Sequence, residues 1–158
     1  MPGTPKIATC LWFDDNAEEA VNFYISLFAD SKIVSVTRYG KAGPGPEGSV
    51  LTVAFELAGR EFMALNGGPH FRFNEAISIF VQCDTQAEID RLWDRLLEGG
   101  EAQQCGWLKD RFGLSWQIVP SALDRMLRDP ERSDRVMQAL LQMVKLDIAQ
   151  LEQAYRSS

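Results

Sequence analysis

The pattern of hydrophobic and polar positions repeats one order of structural elements twice along the chain. Residues Ile7–Phe13 are apolar and predict a short buried strand, and Asn16 is one of two polar residues that can cap the helix that follows. Residues Ala76–Gln82 predict a second buried strand, after which Thr85 and Glu88 have capping-box spacing. Both predicted helices carry apolar side chains at helical intervals. The two segments are therefore interpreted as equivalent parts of a duplicated unit.

Each predicted helix is followed by strand-like runs that complete a βαβββ repeat. The runs cover residues 32–39, 49–57, 60–65, 102–107, 108–112 and 115–119. One repeat of roughly 50 to 60 residues has too little interior to bury both its helix and its sheet face, so two copies are expected to complete one core. The predicted fold is α+β, with two tandem repeats over approximately 7–66 and 76–120 that form a curved mixed-sheet cleft in a domain over residues 1–120.

The C-terminal part, residues 121–158, is predicted to be a helical extension. Its longest helix is expected over Val136–Leu151, where apolar residues recur at helical intervals. The apolar residues of this stripe are Met137, Leu140, Leu141, Val144, Ile148 and Leu151. A stripe of this kind packs either against the core or against a partner subunit.

Composition and charge narrow the classes of partner. The chain has 16 basic and 22 acidic residues and a net charge of −6, and the basic residues form no run, so neither nucleic acid nor a membrane is expected as a partner. No apolar stretch approaches the ~20 residues of a membrane span, and MPGTPK leads into a strand-like segment rather than a signal peptide, so we expect a cytoplasmic protein. The cysteines Cys10, Cys83 and Cys105 form no CxxC pair and are interpreted as small buried residues.

Four motifs carry a resemblance to a known family. They are LWFDDNAEEAVNFY, LNGGPHFRFNEAISIFVQCDT, QCGWLKDRFGLSWQIVP and QALLQMVKLDIAQLEQAY, and the resemblance extends over residues 7–155. The chain resembles the PhnB-like branch of the vicinal oxygen chelate superfamily, which includes glyoxalase I, extradiol dioxygenases and bleomycin-resistance proteins. Proteins of this branch are often labelled 3-demethylubiquinone-9 3-methyltransferase. Because superfamily members commonly form dimers, the resemblance implies a homodimer, to which the C-terminal stripe can add a seam.

The resemblance also implies where a metal would bind. Metal enzymes of the superfamily use His, Gln or Glu at inward strand positions, two in each repeat. In the first repeat, these positions correspond to Thr9 and to Met63 or Leu65. In the second repeat, they correspond to Ser78 and Gln117. Only Gln117 is a plausible ligand, and one weak oxygen donor does not hold a transition metal, so no metal is expected.

A methyltransferase would need a binding site for its cofactor. Enzymes that bind S-adenosylmethionine on a doubly wound sheet usually carry a glycine-rich turn between the first strand and its helix. Here the first strand is followed by DDNAEE, and the glycines occur in KAGPGPEG and NGGP, neither of which lies between a strand and a helix. No cofactor is therefore expected.

Polar and aromatic residues near the expected cleft are the remaining candidates. His70, the sole histidine, is a candidate acid or base, because a free imidazole has a pKa of ~6.5 and can transfer protons at neutral pH. Alternatively, His70 is a metal ligand or a structural residue of the loop. Glu75 and Asp110 are further acid or base candidates. Asn66 either orients a ligand or caps a turn, and Trp107 either lines the pocket or closes the barrel.

Strand alternation separates two neighbouring residues of the last motif. Side chains point to opposite faces at successive positions, so Gln117 is expected to face away from Trp116 and Ile118. If Gln117 faces the cleft, Trp116 packs against a helix and is structural.

Three classes of function compete. The first is a metal-free protein that binds a small aromatic or apolar molecule in its cleft. The second is an enzyme of the same fold that uses acid or base chemistry, and the third is the methyltransferase, metal-dependent lyase or dioxygenase that the family names imply. The predicted ligand contacts are Thr9, Met63, Leu65, Asn66, Ser78, Trp107 and Gln117. The lack of a convincing catalytic constellation favours the first class, and whether the chain is an enzyme stays open on the sequence alone.

Overall fold

The computed structural model describes residues 5–157, and the chain forms two compact units that divide between residues 72 and 73. The first unit contains β1 (Thr9–Phe13), α1 (Ala17–Ile25), β2 (Lys32–Arg38), β3 (Val50–Leu57) and β4 (Arg60–Asn66). The second unit contains β5 (Ser78–Cys83), α2 (Gln86–Leu97), β6 (Glu101–Ala102), β7 (Trp107–Lys109), β8 (Ser115–Pro120), α3 (Leu123–Arg128), α4 (Ser133–Leu140) and α5 (Ile148–Arg156). The predicted α+β fold with a duplicated βαβββ order and a C-terminal helical part is confirmed.

The two units contain sheets of the same topology. The strand order is β1-β4-β3-β2 in the first sheet and β5-β8-β7-β6 in the second. β1 pairs with β4 in parallel, as β5 does with β8, and the other neighbours are antiparallel. In each repeat the helix carries the chain to the far edge of the sheet, and the following three strands return to the first strand. Because a parallel neighbour needs such a crossover, one helix for each repeat accounts for the mixed order.

Each sheet has one face that is covered by its own helix. In the first unit, α1 packs against β3 and β4, and alternate strand residues join its core. The core side chains of this unit include Leu11, Phe13, Ala17, Ala20, Val21, Tyr24, Val53, Phe55, Leu57 and Ala64. In the second unit, α2 packs against β5, β7 and β8. Its core side chains include Ile89, Leu92, Trp93, Leu96, Leu108, Trp116 and Ile118.

The two helix starts use different capping groups. As predicted for α2, the Thr85 hydroxyl accepts a hydrogen bond from the Glu88 amide at 3.1 Å. The prediction that Asn16 caps α1 through its side chain is wrong. Instead, Oδ1 of Asn66, at the end of β4, accepts a hydrogen bond from the Ala17 amide at 2.9 Å. A free amide at the helix start is therefore satisfied by a residue that is remote in sequence.

The C-terminal part does not form the single helix predicted over Val136–Leu151. Helix α4 ends at Leu140, and Asp147 caps the start of α5 by accepting a hydrogen bond from the Gln150 amide at 3.0 Å. Between them, the carbonyl groups of Met143 and Val144 accept hydrogen bonds from the amides of residues 105 and 106 at 2.9 and 2.8 Å. The segment is held in a nonhelical conformation because its carbonyl groups bond to the loop before β7 instead of to their own helix.

The predicted apolar stripe is divided between core and surface. Leu140 and Leu151 join a buried cluster with Val119 of β8. Met137, Leu141 and Val144 are exposed.

No helix among residues 5–157 is long and apolar enough to cross a membrane.

The three cysteines differ in exposure. Cys83 is buried and Cys105 is half-buried, but Cys10 is exposed. The interpretation of Cys10 as a buried residue is therefore wrong. It lies on the face of β1 opposite Leu11 and Phe13, which are the strand residues that join the core.

Candidate functional site

The predicted ligand positions of the first repeat lie on opposite faces of their sheet. In the β1–β4 register, Cys10 pairs with Met63, whereas Thr9 pairs with Phe62. Thr9 therefore shares the helix-covered face with buried strand residues, and Met63 and Leu65 lie on the other face. The prediction that Thr9 lines one site with Met63 and Leu65 is wrong, because the position was displaced by one residue along β1 and so changed face.

Asn66 has a structural role in the first unit. Its side chain is buried, and while Oδ1 caps α1, Nδ2 donates a hydrogen bond to the Val50 carbonyl at 3.1 Å. Both polar ends of the amide are thus engaged by the backbone. Asn66 thus caps a helix that is remote in sequence and not a local turn, and because it also lines the cavity described next, its predicted ligand contact stays a prediction.

His70 lies at a cavity of about 620 Å³ within the first unit. Around this cavity the Tyr39 hydroxyl donates a hydrogen bond to the Asn66 carbonyl at 2.5 Å, and Arg38 Nη1 donates one to the Gly48 carbonyl at 3.0 Å. The exposed carboxylates of Asp14, Asp15 and Glu18 also line it. The size is that of a small-molecule pocket. The Arg38 and Tyr39 side chains already hold the surrounding loops through these hydrogen bonds. The cavity is therefore a weaker candidate than the face of the second sheet that is described below.

Asp110 is a buried structural acceptor. One oxygen accepts hydrogen bonds from the amides of Phe112 at 2.9 Å and Leu114 at 3.0 Å, and the other accepts one from Trp116 Nε1 at 2.9 Å. The side chain is 3% exposed. A carboxylate so enclosed closes the β7–β8 turn and holds the indole. We therefore correct the prediction that Asp110 acts as an acid or base.

Glu75 is paired with Lys109. Its carboxylate lies 3.1 Å from the Lys109 ammonium, and this hydrogen bond lowers the pKa of Glu75 from its usual range. A more acidic carboxyl group is a weaker base at neutral pH. The ion pair therefore makes Glu75 a poor candidate for proton abstraction.

Two rows of side chains define a second candidate site on the face of the second sheet opposite α2, which we call the Gln117 face. The first row crosses three strands and consists of Phe80, Gln117 and Trp107. The second row lies two residues away along the strands and consists of Ser78, Ser115 and Lys109. Trp116 and Ile118 are fully buried on the opposite face, as strand alternation predicted.

The predicted ligand residues of the second repeat come together on this face. Gln117 Nε2 donates a hydrogen bond to Ser78 Oγ at 2.9 Å, and Trp107 is directly opposite Gln117 in the register. Trp107 thus lies where it can line a site. Phe80, on the other side of Gln117, is 55% exposed, which is unusual for so large an apolar ring.

Phe80, Lys109 and Ser115 are not among the ligand contacts predicted from the sequence. Ser115 is fully buried, and its hydroxyl finds no hydrogen-bond partner among the residues that the structure describes. The alternation in Ser115-Trp116-Gln117 already placed Ser115 on the same face as Gln117. The missing signal was the parallel pairing of β5 with β8, which sets Ser115 beside Ser78.

Comparison with known proteins agrees with the fold. The family model described as 3-demethylubiquinone-9 3-methyltransferase matches residues 5–119. The chain belongs to this family. A PhnB protein from Bacillus cereus is 41% identical, with 73% of this chain and 99% of that chain covered and a TM-score of 0.67. No curated protein matches the chain.

More distant structures share the fold alone. Protein PA1353 from Pseudomonas aeruginosa is 23% identical, with 74% of this chain and 98% of that chain covered and a TM-score of 0.61. FosX, a fosfomycin resistance protein from Listeria monocytogenes, is 16% identical, with 80% and 98% covered and a TM-score of 0.53. These likenesses show that this PhnB-family chain shares a fold with both proteins.

The donors present in this family member do not fit a divalent metal. One structure of FosX holds Mn(II). On the Gln117 face, the uncharged oxygen donors are the hydroxyls of Ser78 and Ser115 and the amide of Gln117, and those of Ser78 and Gln117 are hydrogen-bonded to each other. Among residues 5–157, no group of three or more His, Cys, Asp or Glu side chains is arranged to hold a metal ion. A Mn(II) site normally requires several carboxylate or imidazole ligands.

Proposed function

We propose that this PhnB-family chain binds a small organic molecule with a flat apolar part, without a metal, on the Gln117 face. The observation that carries the proposal is the strand register, in which Gln117 lies between Phe80 and Trp107 on one face of the sheet. Aromatic faces stack on flat ligands, and one carboxamide can both donate and accept a hydrogen bond to orient them. The arrangement combines apolar contact with one directional polar group, as small-molecule sites generally do.

The spacing of the row suits a ligand of one to three fused rings. Neighbouring strands lie about 4.8 Å apart, so the backbones that carry Phe80 and Trp107 are separated by about 10 Å across β8. A planar ring system that lies over Gln117 can contact both aromatic side chains. This argument favours an aromatic molecule over a long flexible one.

Methyl transfer is not the function that this geometry supports. Enzymes that bind S-adenosylmethionine on a doubly wound sheet place the cofactor at the ends of adjacent parallel strands. Each sheet here has one parallel pair, and its remaining pairs are antiparallel. Two of the three acid or base candidates are also disfavoured, because Asp110 is enclosed and Glu75 is ion-paired, and the third, His70, lies at the cavity of the first unit and not on the Gln117 face.

A calorimetric binding screen tests the proposal. The panel consists of one- to three-ring aromatic compounds, each as a carboxylate and as the neutral carboxamide, together with S-adenosylmethionine, all titrated with and without a chelator. We expect at least one aromatic pair to bind, with affinity unaffected by the chelator. Phe80→Ala and Trp107→Ala should each weaken binding about 10-fold or more, since a stacked ring contributes about 1 kcal/mol beyond its buried area.

The matched control is Phe71→Ala, which removes an aromatic ring that is 66% exposed in the first unit. This variant should leave affinity unchanged. The proposal is overturned if no aromatic compound binds, if binding is lost with the chelator, or if Phe80→Ala and Trp107→Ala bind as the wild type does. Binding of S-adenosylmethionine followed by methyl transfer would replace it with the activity of the family name.

A further inference from the structure

We infer that the ligand of the Gln117 face carries a carboxylate, which is bound by the row Ser78, Ser115 and Lys109. The inference rests on the proposed function, because it assigns the chemical class of the molecule at that same site. Its starting point is the buried Ser115 hydroxyl, which has no hydrogen-bond partner among residues 5–157. Buried polar groups are almost always hydrogen-bonded, so an unpartnered hydroxyl beside a candidate site indicates a partner from outside the chain.

The neighbouring side chains leave this row rich in donors. Gln117 Nε2 donates to Ser78 Oγ, which occupies a lone pair of that oxygen and leaves the Ser78 hydroxyl proton available. Lys109 has three ammonium protons, and its ion pair with Glu75 requires one of them. With Ser115, three adjacent side chains can donate. A group that only accepts hydrogen bonds, such as a carboxylate, matches them better than a hydroxyl or an amide.

The resting ion pair shows that a carboxylate fits against Lys109. The Glu75 carboxylate lies 3.1 Å from the Lys109 ammonium, and its side chain is 50% exposed, whereas that of Lys109 is 29% exposed. The Gln103 side chain also hydrogen-bonds the Glu75 carboxylate, so a ligand carboxylate must replace Glu75 against both contacts, and the greater exposure of Glu75 makes it the partner that moves towards solvent. Glu101 pairs with Lys109 across the β6–β7 register and is exposed at the edge of the sheet. A ligand carboxylate would replace the Glu75 carboxylate as the partner of the Lys109 ammonium.

The distance between the two rows fits an aromatic acid. Rows two residues apart along a strand are separated by about 6.7 Å on the same face. A ring system over Gln117 can thus extend a directly attached carboxylate, or one on a short arm, towards Ser115. The first row would contact the rings, and the second row would bind the charge.

Matched pairs of aromatic carboxylates and carboxamides test the inference by calorimetry. For the wild type we expect each carboxylate to bind at least ~10-fold more tightly than its carboxamide, which is the effect of one charge-assisted hydrogen bond. Lys109→Met should remove this preference, because it weakens carboxylate binding much more than carboxamide binding. Ser115→Ala should reduce carboxylate affinity by about 5-fold and carboxamide affinity less. Glu75→Gln should raise carboxylate affinity, because it removes the competing carboxylate.

Lys145→Met is the control for lysine removal, since Lys145 also forms an ion pair, at 2.9 Å with Asp90, elsewhere in the second unit. It should keep the wild-type preference. Thermal unfolding of each variant verifies that it is folded. If neither compound of any pair binds, the proposed function fails. If both bind equally and still depend on Phe80, the proposed function stands and the carboxylate inference is overturned, as it is if Lys109→Met retains the preference.

Discussion

Replacement of Asp110 distinguishes a structural carboxylate from a catalytic one. Asp110→Asn keeps one oxygen for the backbone amides of Phe112 and Leu114, but its second polar group becomes an NH₂. That NH₂ would meet Trp116 Nε1–H, which now donates to the carboxylate at 2.9 Å. Two donors would then face each other in a buried place. Asp110→Ala removes all three hydrogen bonds together.

The expected loss of stability follows from the bonds that are removed. A buried hydrogen bond to a charged group contributes about 1.5 to 3 kcal/mol, so Asp110→Asn should lower the free energy of unfolding by about 2 to 3 kcal/mol. Asp110→Ala leaves two buried donors, Trp116 Nε1 and the Leu114 amide, without acceptors and should cost about 4 kcal/mol. Domains of this size have a free energy of unfolding of about 5 to 15 kcal/mol, so both variants should fold but unfold measurably earlier.

Equilibrium unfolding in urea, followed by tryptophan fluorescence and circular dichroism, measures both changes. Asp94→Asn, which alters an exposed carboxylate on α2, is the matched control and should stay within about 0.5 kcal/mol of the wild type. A double-mutant cycle with Trp116→Phe should give a coupling energy of about 1 to 3 kcal/mol between the two side chains. The reasoning is refuted if Asp110→Asn is as stable as the wild type but abolishes ligand binding or turnover.

Three further predictions concern packing, thiol chemistry and assembly. Gly100→Ala should destabilise the chain by about 3 kcal/mol in thermal unfolding, because its added Cβ would lie 2.1 Å from a backbone oxygen, whereas Gly113→Ala, with open space and a φ of +88°, should cost only about 1 kcal/mol. Burial raises the pKa of both Cys10 and Cys83, that of Cys83 to about 12, and only Cys10 is exposed. A thiol reagent at pH 8 should therefore modify Cys10 faster than Cys83, which should react only in urea; equal rates would contradict this. We propose that the chain forms the implied homodimer through a surface that includes the exposed Leu141 side chain. Sedimentation equilibrium should give the mass of two chains, and Leu141→Glu should shift this mass towards that of one chain. A wild-type monomer at micromolar concentration would exclude the homodimer.

The duplicated fold was predictable because local signals agree with it. The spacing of Thr85 and Glu88 located α2, and alternation in β8 put Trp116 in the core and Gln117 on the opposite face. These signals act over two to four residues, and the final packing does not override them. Helix α1 shows the limit of such signals, since the Asn66 side chain that caps it accepts a hydrogen bond from an amide 49 residues away in sequence.

The break in the C-terminal helix has the same physical origin. Apolar spacing over Val136–Leu151 is compatible with one helix, and only the hydrogen bonds that Met143 and Val144 accept from the loop before β7 make two helices more stable. Asp147 then supplies a cap for the second helix. A hydrophobic pattern records which side chains are apolar, but not which backbone groups have partners elsewhere in the chain.

Candidate residues were least predictable where a strand register decides the result. An error of one position along β1 moved the proposed site from Cys10 to Thr9 and so to the wrong face. In the second repeat the positions of Ser78 and Gln117 were correctly placed on one face, and the two side chains touch. The same register brings in Ser115, whose partner strand cannot be identified from the sequence of β8 alone.

The two repeats place different chemistry at equivalent positions of one topology. Cys10, Met63 and Ala54 form a row on the face of the first sheet opposite α1. The equivalent strands of the second sheet carry Phe80, Gln117 and Trp107. The first row has no strong hydrogen-bonding side chain, whereas the second has Gln117 between two aromatic residues in the register and a row of donors beside it. Because fold does not fix function, the register of β5, β8 and β7, more than the family name, argues for recognition of an aromatic acid by the second repeat.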